Sequence, residues 1–194
     1  MKTKEMLQQM YYLLRNADRL LTKDGRNTTW LSFPSLESPL LSVGDAGIMN
    51  SFSETQLAPG RKKDIQKHEI GKAVIYVYKG ALAKNNSALQ AGVVQVGEFQ
   101  CMTINREDCY TFTNALRTCW TIYYHLGFRA LGGGHDFAPK QKRFSRADRH
   151  NVLCVVASPD GKMNSLRICQ NAIVISSVLD SGTMLAHELL ARLS

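Results

Sequence analysis

The clearest pattern of apolar and polar positions in the chain lies in residues 72–82, KAVIYVYKGAL, whose side chains alternate like those of a half-buried β-strand. Successive side chains of an extended strand point to opposite faces. One face would carry Lys72, Val74, Tyr76, Tyr78 and Gly80, and the other Ala73, Ile75, Val77, Lys79 and Ala81. The second set is mostly apolar, so the pattern predicts a half-buried strand that shows its two tyrosines on an open face.

Similar enrichment in β-branched and aromatic residues predicts more strands further along the chain. These strands are expected over residues 91–99, 100–104, 151–157, 165–169 and 172–178. The turn residues Ser158-Pro-Asp-Gly161 predict a hairpin between the third and the fourth of them. Residues 26–70 are interrupted by proline and glycine and are expected to form short strands and loops.

Three segments place apolar residues at helical spacing. The first spans residues 3–22 and is expected to form an N-terminal helix. The second runs from a plausible N-cap at Asn105 to residue 127. The third spans residues 183–193.

The order of these elements predicts an α+β protein. Each half of the core would be an antiparallel β-sheet backed by a helix on one face, with the other face open. Residues 71–194 would form this ββββα-ββββα core. Residues 1–70 would form a separate N-terminal helix and irregular extension.

The net charge of the chain indicates which class of partner it could bind. Lys and Arg number 24 against 16 Asp and Glu, which leaves a formal net charge of +8. A basic excess of this size favours polyanions, among them DNA and RNA. At 44% hydrophobic residues, the chain can still build a core of its own.

The five cysteines and the N-terminus indicate where the protein works. The cysteine number is odd and no pair has CxxC spacing, which argues against a disulfide framework or a zinc site and for a reducing compartment. The first residues lack the apolar stretch of a secretory signal, and no run of 18 apolar residues indicates a membrane span. We therefore expect a cytoplasmic protein, in the host cytoplasm if it is viral, without a membrane partner.

Residues 130–150 form the most basic segment, which is predicted to be a long loop. Its cations are Lys140, Lys142, Arg143, Arg146 and Arg149, and the two aromatic residues Phe137 and Phe144 lie among them. Cationic side chains with aromatic rings between them fit a surface that follows a phosphate backbone and stacks on bases. A solvated loop without a partner is the alternative for this segment.

The segment Val77-Tyr-Lys-Gly-Ala-Leu82, together with the order of elements, resembles the Whirly and PC4-like single-stranded-DNA-binding proteins. Their core is two four-stranded sheets, each followed by a helix, and they assemble as dimers or tetramers. The second lysine of the Whirly segment is absent here, and Lys84 follows close behind. The chain also looks like the single-stranded-DNA-binding transcription regulators of some lytic phages.

This resemblance implies a single-stranded-DNA-binding protein with little sequence specificity, acting in transcription regulation or replication. It would be a homo-oligomer, with RNA polymerase as a further partner, and neither an enzyme nor a holder of a cofactor or metal. The expected contacts are Lys72, Tyr76, Tyr78, Lys79, Lys84, Phe137, Lys140, Lys142, Arg143, Phe144, Arg146 and Arg149. Tyrosine rings would stack on bases and cations would neutralise phosphates.

Other interpretations stay open at this point. The same basic surface fits an RNA- or duplex-binding protein, or a virion structural protein that touches packaged nucleic acid. A metal-dependent nuclease would use His135, Asp136 and His150, because His and Asp bind divalent metals. Tyr76 and Tyr78 could instead pack under a loop or at a subunit interface.

Overall fold

A computed structural model describes residues 19–33, 49–64, 72–86, 93–104, 109–128, 141–168 and 172–186. Apart from one 3₁₀ turn, Ala147–Arg149, the regular structure of these residues is β-strand. The strands are β1 (Leu20–Asp24), β2 (Asn27–Phe33), β3 (Met49–Leu57), β4 (Lys62–Asp64), β5 (Lys72–Lys79), β6 (Ala81–Asn86), β7 (Val94–Gly97), β8 (Gln100–Ile104), β9 (Tyr110–Asn114), β10 (Thr121–Phe128), β11 (Gln141–Arg143), β12 (Cys154–Ser158), β13 (Leu166–Arg167) and β14 (Val174–Ser176).

The strands form three sheets in three layers. The largest has the order β1-β2-β3-β10-β5-β8-β11, the second has the order β4-β9-β6-β7, and the third has the order β13-β12-β14. The four-stranded sheet covers one face of the seven-stranded sheet, and the three-stranded sheet covers part of the other. The seven-stranded sheet is therefore the middle layer, and strands at its centre are buried on both faces.

Two apolar cores follow from this layering. The first lies between the large and the four-stranded sheets and is built from Leu57, Ala73, Ile75, Val77, Leu82, Val96, Met102, Ile104, Tyr110, Phe112 and Tyr123. The second lies between the large and the three-stranded sheets and is built from Val74, Tyr76, Cys101, Phe128, Phe144, Val156, Ala157, Leu166 and Ile168.

Alternate side chains of strand β5 contribute to the two cores. It pairs antiparallel with β10 on one side and with β8 on the other. Ala73, Ile75 and Val77 face the first core, whereas Val74 and Tyr76 face the second. The predicted alternation is confirmed. The predicted open face is wrong, because the three-stranded sheet packs on it.

The segment predicted as one strand over residues 72–82 divides at Gly80. β5 belongs to the seven-stranded sheet and β6 to the four-stranded sheet. Gly80 has a φ of +85°, which an L-residue rarely adopts. A Cβ at this position would lie 2.7 Å from Thr121 Oγ1, so the chain can cross between layers here because the residue has no side chain.

The predicted α+β fold with helix-backed sheets is wrong. Residues 110–114 and 121–127, placed in the second helix, form β9 and all but the last residue of β10. Burial in β9 alternates with period two rather than following a helical stripe, and β-branched and aromatic residues fill both strands. β1 occupies the end of the first predicted helix, and the rest of that helix lies outside the described residues. Residues 183–186 are not helical, and the remainder of the third helix is outside the described part.

The predicted hairpin around Ser158-Pro-Asp-Gly161 is also wrong in its pairing. β12 and β13 run parallel, and the antiparallel partner of β12 is β14. The turn itself forms, since Asp160 Oδ1 accepts hydrogen bonds from Ser158 Oγ and from the Lys162 backbone N–H. The chain then bends further, so that Leu166 lies beside Ala157 in the same direction.

The first 70 residues contribute to the middle layer of the molecule. β3 pairs antiparallel with β10 along its length, and β2 pairs with β3. The division into an extension over residues 1–70 and a core over residues 71–194 stays a prediction. The described residues contain no helix able to cross a membrane.

Candidate functional site

A cavity lies between the large sheet and the three-stranded sheet. Its volume is about 410 Å³. The residues that line it are Phe52, Tyr76, Tyr78, Tyr124, Leu126, Val156, Val174, Ile175, Ser176 and Ser177. They come from β3, β5 and β10 on one wall and from β12, β14 and the residue after β14 on the other.

Aromatic rings form the wall contributed by the large sheet. Phe52 and Tyr124 stack with centroids 6.0 Å apart and planes inclined by 13°, and Tyr76 stacks on Tyr124 at 6.5 Å and 17°. Tyr78 meets Tyr124 edge-on at 6.3 Å. The register of the sheet produces this row, because Tyr124 lies directly opposite Tyr76, and Leu126 opposite Phe52.

Behind this wall lies the guanidinium of Arg149, which is fully buried. Its Nη1 donates hydrogen bonds to the Tyr76 hydroxyl oxygen and to Ser176 Oγ, the latter at 3.0 Å. Its central carbon lies 3.6 Å from the centroid of the Phe99 ring. Both hydrogen-bond acceptors of Arg149 line the cavity, so only their side chains separate its charge from the cavity.

The segment around Arg149 is fixed at both ends. Before it, the Ser145 backbone N–H donates to Asp148 Oδ2 at 2.6 Å and the Asp148 N–H donates to Ser145 Oγ at 3.1 Å, a reciprocal pair of the capping-box kind. After it, the Val178 N–H donates to the Arg149 carbonyl oxygen at 2.8 Å. The residues that follow β14 therefore hold the backbone of Arg149 in place.

A second polar contact fastens the same two segments. His150 Nε2 lies 2.9 Å from Asp180 Oδ1, and Asn151 Nδ2 donates to Asp180 Oδ2 at 2.9 Å. The hydrogen bond with His150 is the largest cause that lowers the pKa of Asp180, followed by the one with Asn151. Asp180 is thus a carboxylate at neutral pH. Its negative charge binds His150 and Asn151 at the surface and does not face the cavity.

The Tyr76 hydroxyl keeps its own hydrogen available. Burial raises the pKa of Tyr76, while the hydrogen bond from Ser176 and the charge of Arg149 oppose that shift in part. Tyr76 is therefore a neutral phenol near pH 7. Its oxygen accepts from Arg149 Nη1 and from Ser176 Oγ, so the phenolic hydrogen can be donated to a third group.

Tyr124 is likewise protonated at neutral pH. Burial raises the pKa of Tyr124 to about 12, and the neighbouring Glu54 and Tyr78 add to the shift. Glu54 itself pairs with Arg19, whose Nη1 lies 3.2 Å from Glu54 Oε2. The aromatic wall of the cavity is consequently neutral.

In the structure, the predicted contact residues lie in several separate places. Tyr76 and Tyr78 line the cavity, and Arg149 lies behind it. Phe144 is buried in the second core, while Lys84 is buried on the four-stranded sheet with its Nζ 5.2 Å from the centroid of the Tyr110 ring. Of the other predicted contacts, Lys72 is half-buried, and the exposed ones are Lys79, Arg143 and Arg146.

Three predicted contacts have no described side chain. Phe137 and Lys140 lie outside the described residues, and Lys142 is described in β11 by its backbone alone. The role of the individual residues as contacts stays a prediction. The structure does not bring the described ones to one surface, since some lie in different cores and others in solvent.

Most residues that line the cavity were not among the predicted contacts. Tyr124 and Leu126 were assigned to a helix, although a run of β-branched and aromatic residues over Thr121–Phe128 favours a strand. Phe52 lies in β3, where Ser51-Phe52-Ser53 alternates in polarity and gave a usable signal. Ser176 and Val174 carry no local signal for a cavity, because their place depends on which sheet covers them.

Comparison with known proteins places the fold. No family model matches the chain, and no curated protein matches its sequence. The structure of YhhW from Escherichia coli superposes with a TM-score of 0.69 at 18% identity, covering 84% of this chain and 69% of YhhW. The chain therefore shares the fold of YhhW. Identity at this level shows the fold alone.

Two further structures agree with this assignment. A complex of the bacterial pirin YhhW from Escherichia coli with nickel(II) matches with a TM-score of 0.64 and 17% identity, over 82% of this chain and 68% of that one. YhaK from Escherichia coli matches with a TM-score of 0.57 and 15% identity, over 81% of this chain and 63% of YhaK.

The resemblance to Whirly/PC4-like proteins and to phage regulators is therefore wrong. The predicted function, single-stranded-DNA binding in transcription or replication, is wrong with it, as are single-stranded DNA and RNA polymerase as partners. These predictions depended on an open face of a helix-backed sheet. In this structure, the three-stranded sheet covers the face that carries Tyr76.

The nickel(II) of the YhhW complex raises the question of a metal site in this chain. Among the described residues, no group of three or more His, Cys, Asp or Glu is arranged to hold a metal ion. His150 is engaged with Asp180, and His135 and Asp136 lie outside the described part. The described residues therefore do not fit a nickel site.

Proposed function

We propose that this protein binds a small planar aromatic molecule in the cavity between the seven-stranded and three-stranded sheets. The observation that carries the proposal is the row of stacked rings, Phe52, Tyr124 and Tyr76, beside a phenolic hydrogen that no described residue accepts. Flat aromatic walls favour a flat aromatic ligand through offset stacking and edge-to-face contacts.

The size and lining of the cavity support this proposal. Ligand sites in proteins span about 300–1,000 Å³ and are mostly apolar with a few well-placed polar groups. The cavity of about 410 Å³ has room for one or two fused rings. Its polar groups are the tyrosine hydroxyls and the hydroxyls of Ser176 and Ser177, which would orient the ligand.

The lining also favours binding over catalysis. The described residues that face the cavity include no His, Cys, Lys, Asp or Glu, so the serine hydroxyls there have no general base of these types among the lining residues. We therefore keep the absence of enzymatic activity as part of the proposal. We also propose that the protein works in the cytoplasm, supported by the free state of the four described cysteines.

Calorimetric titration with naphthalene compounds tests the proposal. The panel is 2-naphthoate, 2-naphthamide and 2-naphthol, with cyclohexanecarboxylate as the non-aromatic member. We expect at least one naphthalene compound to bind and cyclohexanecarboxylate to bind at least tenfold more weakly. Failure of every naphthalene compound to bind at millimolar concentration would overturn the proposal.

A matched pair of variants locates the binding. Val174 lines the cavity, whereas the adjacent Ile173 is 64% exposed and does not line it. We expect Val174→Trp to fill the cavity and weaken binding by at least tenfold, and Ile173→Trp to leave binding within a factor of two. Equal binding by both variants would place the ligand elsewhere. A melting curve of each variant checks that it is folded.

A further inference from the structure

Arg149 is buried, which is unusual for a cationic side chain. Its side chain is fully buried, and its Nε and Nη2 have no hydrogen-bond partner. In the part of the chain that the structure describes, Arg149 forms no ion pair. A buried charge without a partner is strongly unfavourable, so such a group is expected to meet an anion in the functional state.

The carboxylates of the segments that flank Arg149 have other partners. Asp148 accepts the Ser145 backbone N–H, and Asp180 is shared by His150 and Asn151. On the far side of the aromatic row, Glu54 pairs with Arg19. No described carboxylate forms an ion pair with Arg149, whose charge is only the last of the causes that lower the pKa of Asp148, after the two hydrogen bonds with Ser145.

Phe99 compensates the charge in part. The guanidinium carbon lies 3.6 Å from the centroid of that ring, a cation–π contact. The face of an aromatic ring attracts a cation without neutralising it. The positive potential of Arg149 therefore extends through its hydrogen-bond acceptors into the cavity.

Tyr76 is the residue through which the charge of Arg149 can act on a ligand in the cavity. Its oxygen receives hydrogen bonds from Arg149 and Ser176, and both make its own O–H a stronger donor, because hydrogen bonds in a chain polarise one another. Tyr76 also lines the cavity, where an acceptor could receive that hydrogen. A negatively charged acceptor gains most from this arrangement.

We propose that the ligand is an aromatic carboxylate, a deepening that rests on the proposed binding function of the same cavity. The ring lies against Phe52 and Tyr124. The carboxylate accepts the Tyr76 O–H, with Arg149 as the countercharge behind it. No covalent step is involved, and Arg149 acts through Tyr76 as a positioning residue.

The test compares 2-naphthoate with 2-naphthamide, which has nearly the same shape and no charge. Calorimetric titration at pH 7 of the full chain is expected to show naphthoate binding at least tenfold more tightly than naphthamide. If both bind and naphthamide binds as tightly or more tightly, the charge inference is overturned while the binding function stands. If no naphthalene compound of the panel binds, the proposed function itself has failed.

Three variants identify the source of the preference. Tyr76→Phe removes the donor and keeps the arginine, and Arg149→Met removes the charge. Both are expected to reduce the preference for naphthoate to less than threefold. Arg143→Met changes an exposed arginine outside the cavity and is expected to keep the preference. If Arg149→Met does not fold, Tyr76→Phe decides alone, and an unchanged preference in that variant overturns the proposal.

Discussion

Arg149 and Tyr76 are 73 residues apart in the sequence and hydrogen-bonded in the second core, where Arg149 Nη1 donates to the Tyr76 hydroxyl oxygen. Ser176 joins them from a further 27 residues along the chain, since its Oγ accepts from Arg149 Nη1 and donates to Tyr76. This contact connects the central strand β5, the 3₁₀ turn and β14. It therefore joins the middle layer to the three-stranded sheet at the back of the cavity.

The first prediction concerns the stability cost of Arg149. Arg149→Met removes a buried charge that has no ion-pair partner among the described residues, and replaces it with an apolar side chain of similar length. Such replacements are often neutral or stabilising, so we expect the free energy of unfolding of the ligand-free protein to stay equal or to rise by up to about 2 kcal/mol. Urea denaturation measures it.

The control for that experiment is Arg143→Met, at an exposed position in β11. We expect a change within about 0.5 kcal/mol there. A loss of more than about 2 kcal/mol in Arg149→Met alone would mean that its hydrogen bonds and the Phe99 contact outweigh the cost of burying the charge.

The second prediction concerns the crossing at Gly80. Gly80 and Gly25 both have positive φ, +85° and +57°. A Cβ at Gly80 would lie 2.7 Å from Thr121 Oγ1, whereas nothing lies within 4 Å of a Cβ at Gly25. We expect Gly25→Ala to cost about 1 kcal/mol from backbone strain, and Gly80→Ala to cost more than about 3 kcal/mol from strain plus overlap.

Chemical denaturation of both alanine variants measures this difference. Both variants share the strain of a positive φ. The additional loss of unfolding free energy in Gly80→Ala therefore measures the steric overlap with Thr121, the first residue of β10, and with the carbonyl oxygen of the residue before it. Equal losses in the two variants would show that Thr121 can move aside at no cost.

The third prediction concerns Asn114, a buried residue at the end of β9. Its Nδ2 donates to the carbonyl oxygens of Leu57 and Cys119 at 3.0 and 2.8 Å. Its Oδ1 accepts from the Leu116 N–H at 2.9 Å and from Thr121 Oγ1 at 2.7 Å. Asn114→Ala leaves these groups without a partner, so we expect a loss of about 3–5 kcal/mol in the free energy of unfolding.

A double-mutant cycle with Thr121→Val tests whether the network acts as a unit. Thr121 is fully buried, and its Oγ1 also accepts a hydrogen bond from the Ala81 backbone N–H at 3.2 Å. We expect a coupling energy between Asn114 and Thr121 of about 1–2 kcal/mol, measured by urea denaturation of the two single variants and the double variant. Strictly additive losses would contradict the network.

The fourth prediction is a loss of stability at high pH. The pKa of Tyr124 is raised to about 12, mainly by burial, from an ordinary value of about 10. Above pH 10 the unfolded chain releases the phenolic proton while the folded protein keeps it. The stability from Tyr124 is therefore fully present below pH 10 and is lost progressively as pH rises from about 10 towards 12.

Urea denaturation between pH 8 and pH 11 follows this loss, and ultraviolet absorbance follows the phenolate. We expect Tyr124→Phe to flatten the high-pH decline relative to the parent, because the ring remains and the titrating group is gone. An unchanged slope in Tyr124→Phe would contradict the assignment.

Parts of the fold could be predicted from local sequence. The bounds of β8 agree with the predicted strand over residues 100–104, and the two faces of β5 agree with the alternation of its side chains. The segment around Tyr124 could not be placed by apolar spacing, because Leu116, Trp120 and Tyr123 also fit a helical stripe. Its β-branched and aromatic composition was the better guide, since strand pairing on both sides stabilises such residues.

The candidate site was the least predictable part. Tyr76 and Arg149 were both recognised as candidates, one as an aromatic strand residue and the other as one cation of a basic loop. Their contact crosses 73 residues of sequence, and nothing in either segment indicates the other. Ser176 and Val174 were not recognised, because a cavity wall has no local pattern of its own.

The sequence by itself determined which side chains of β5 share a face, a local property of an extended backbone that is set by its period of two. The break at Gly80, where the chain leaves the seven-stranded sheet for the four-stranded one, was decided by the tertiary structure. The tertiary structure alone decided that the face of Tyr76 is covered, that Arg149 is buried and that a cavity lies between them. Alternation shows which residues lie together, whereas the layer that packs on them comes from distant strands.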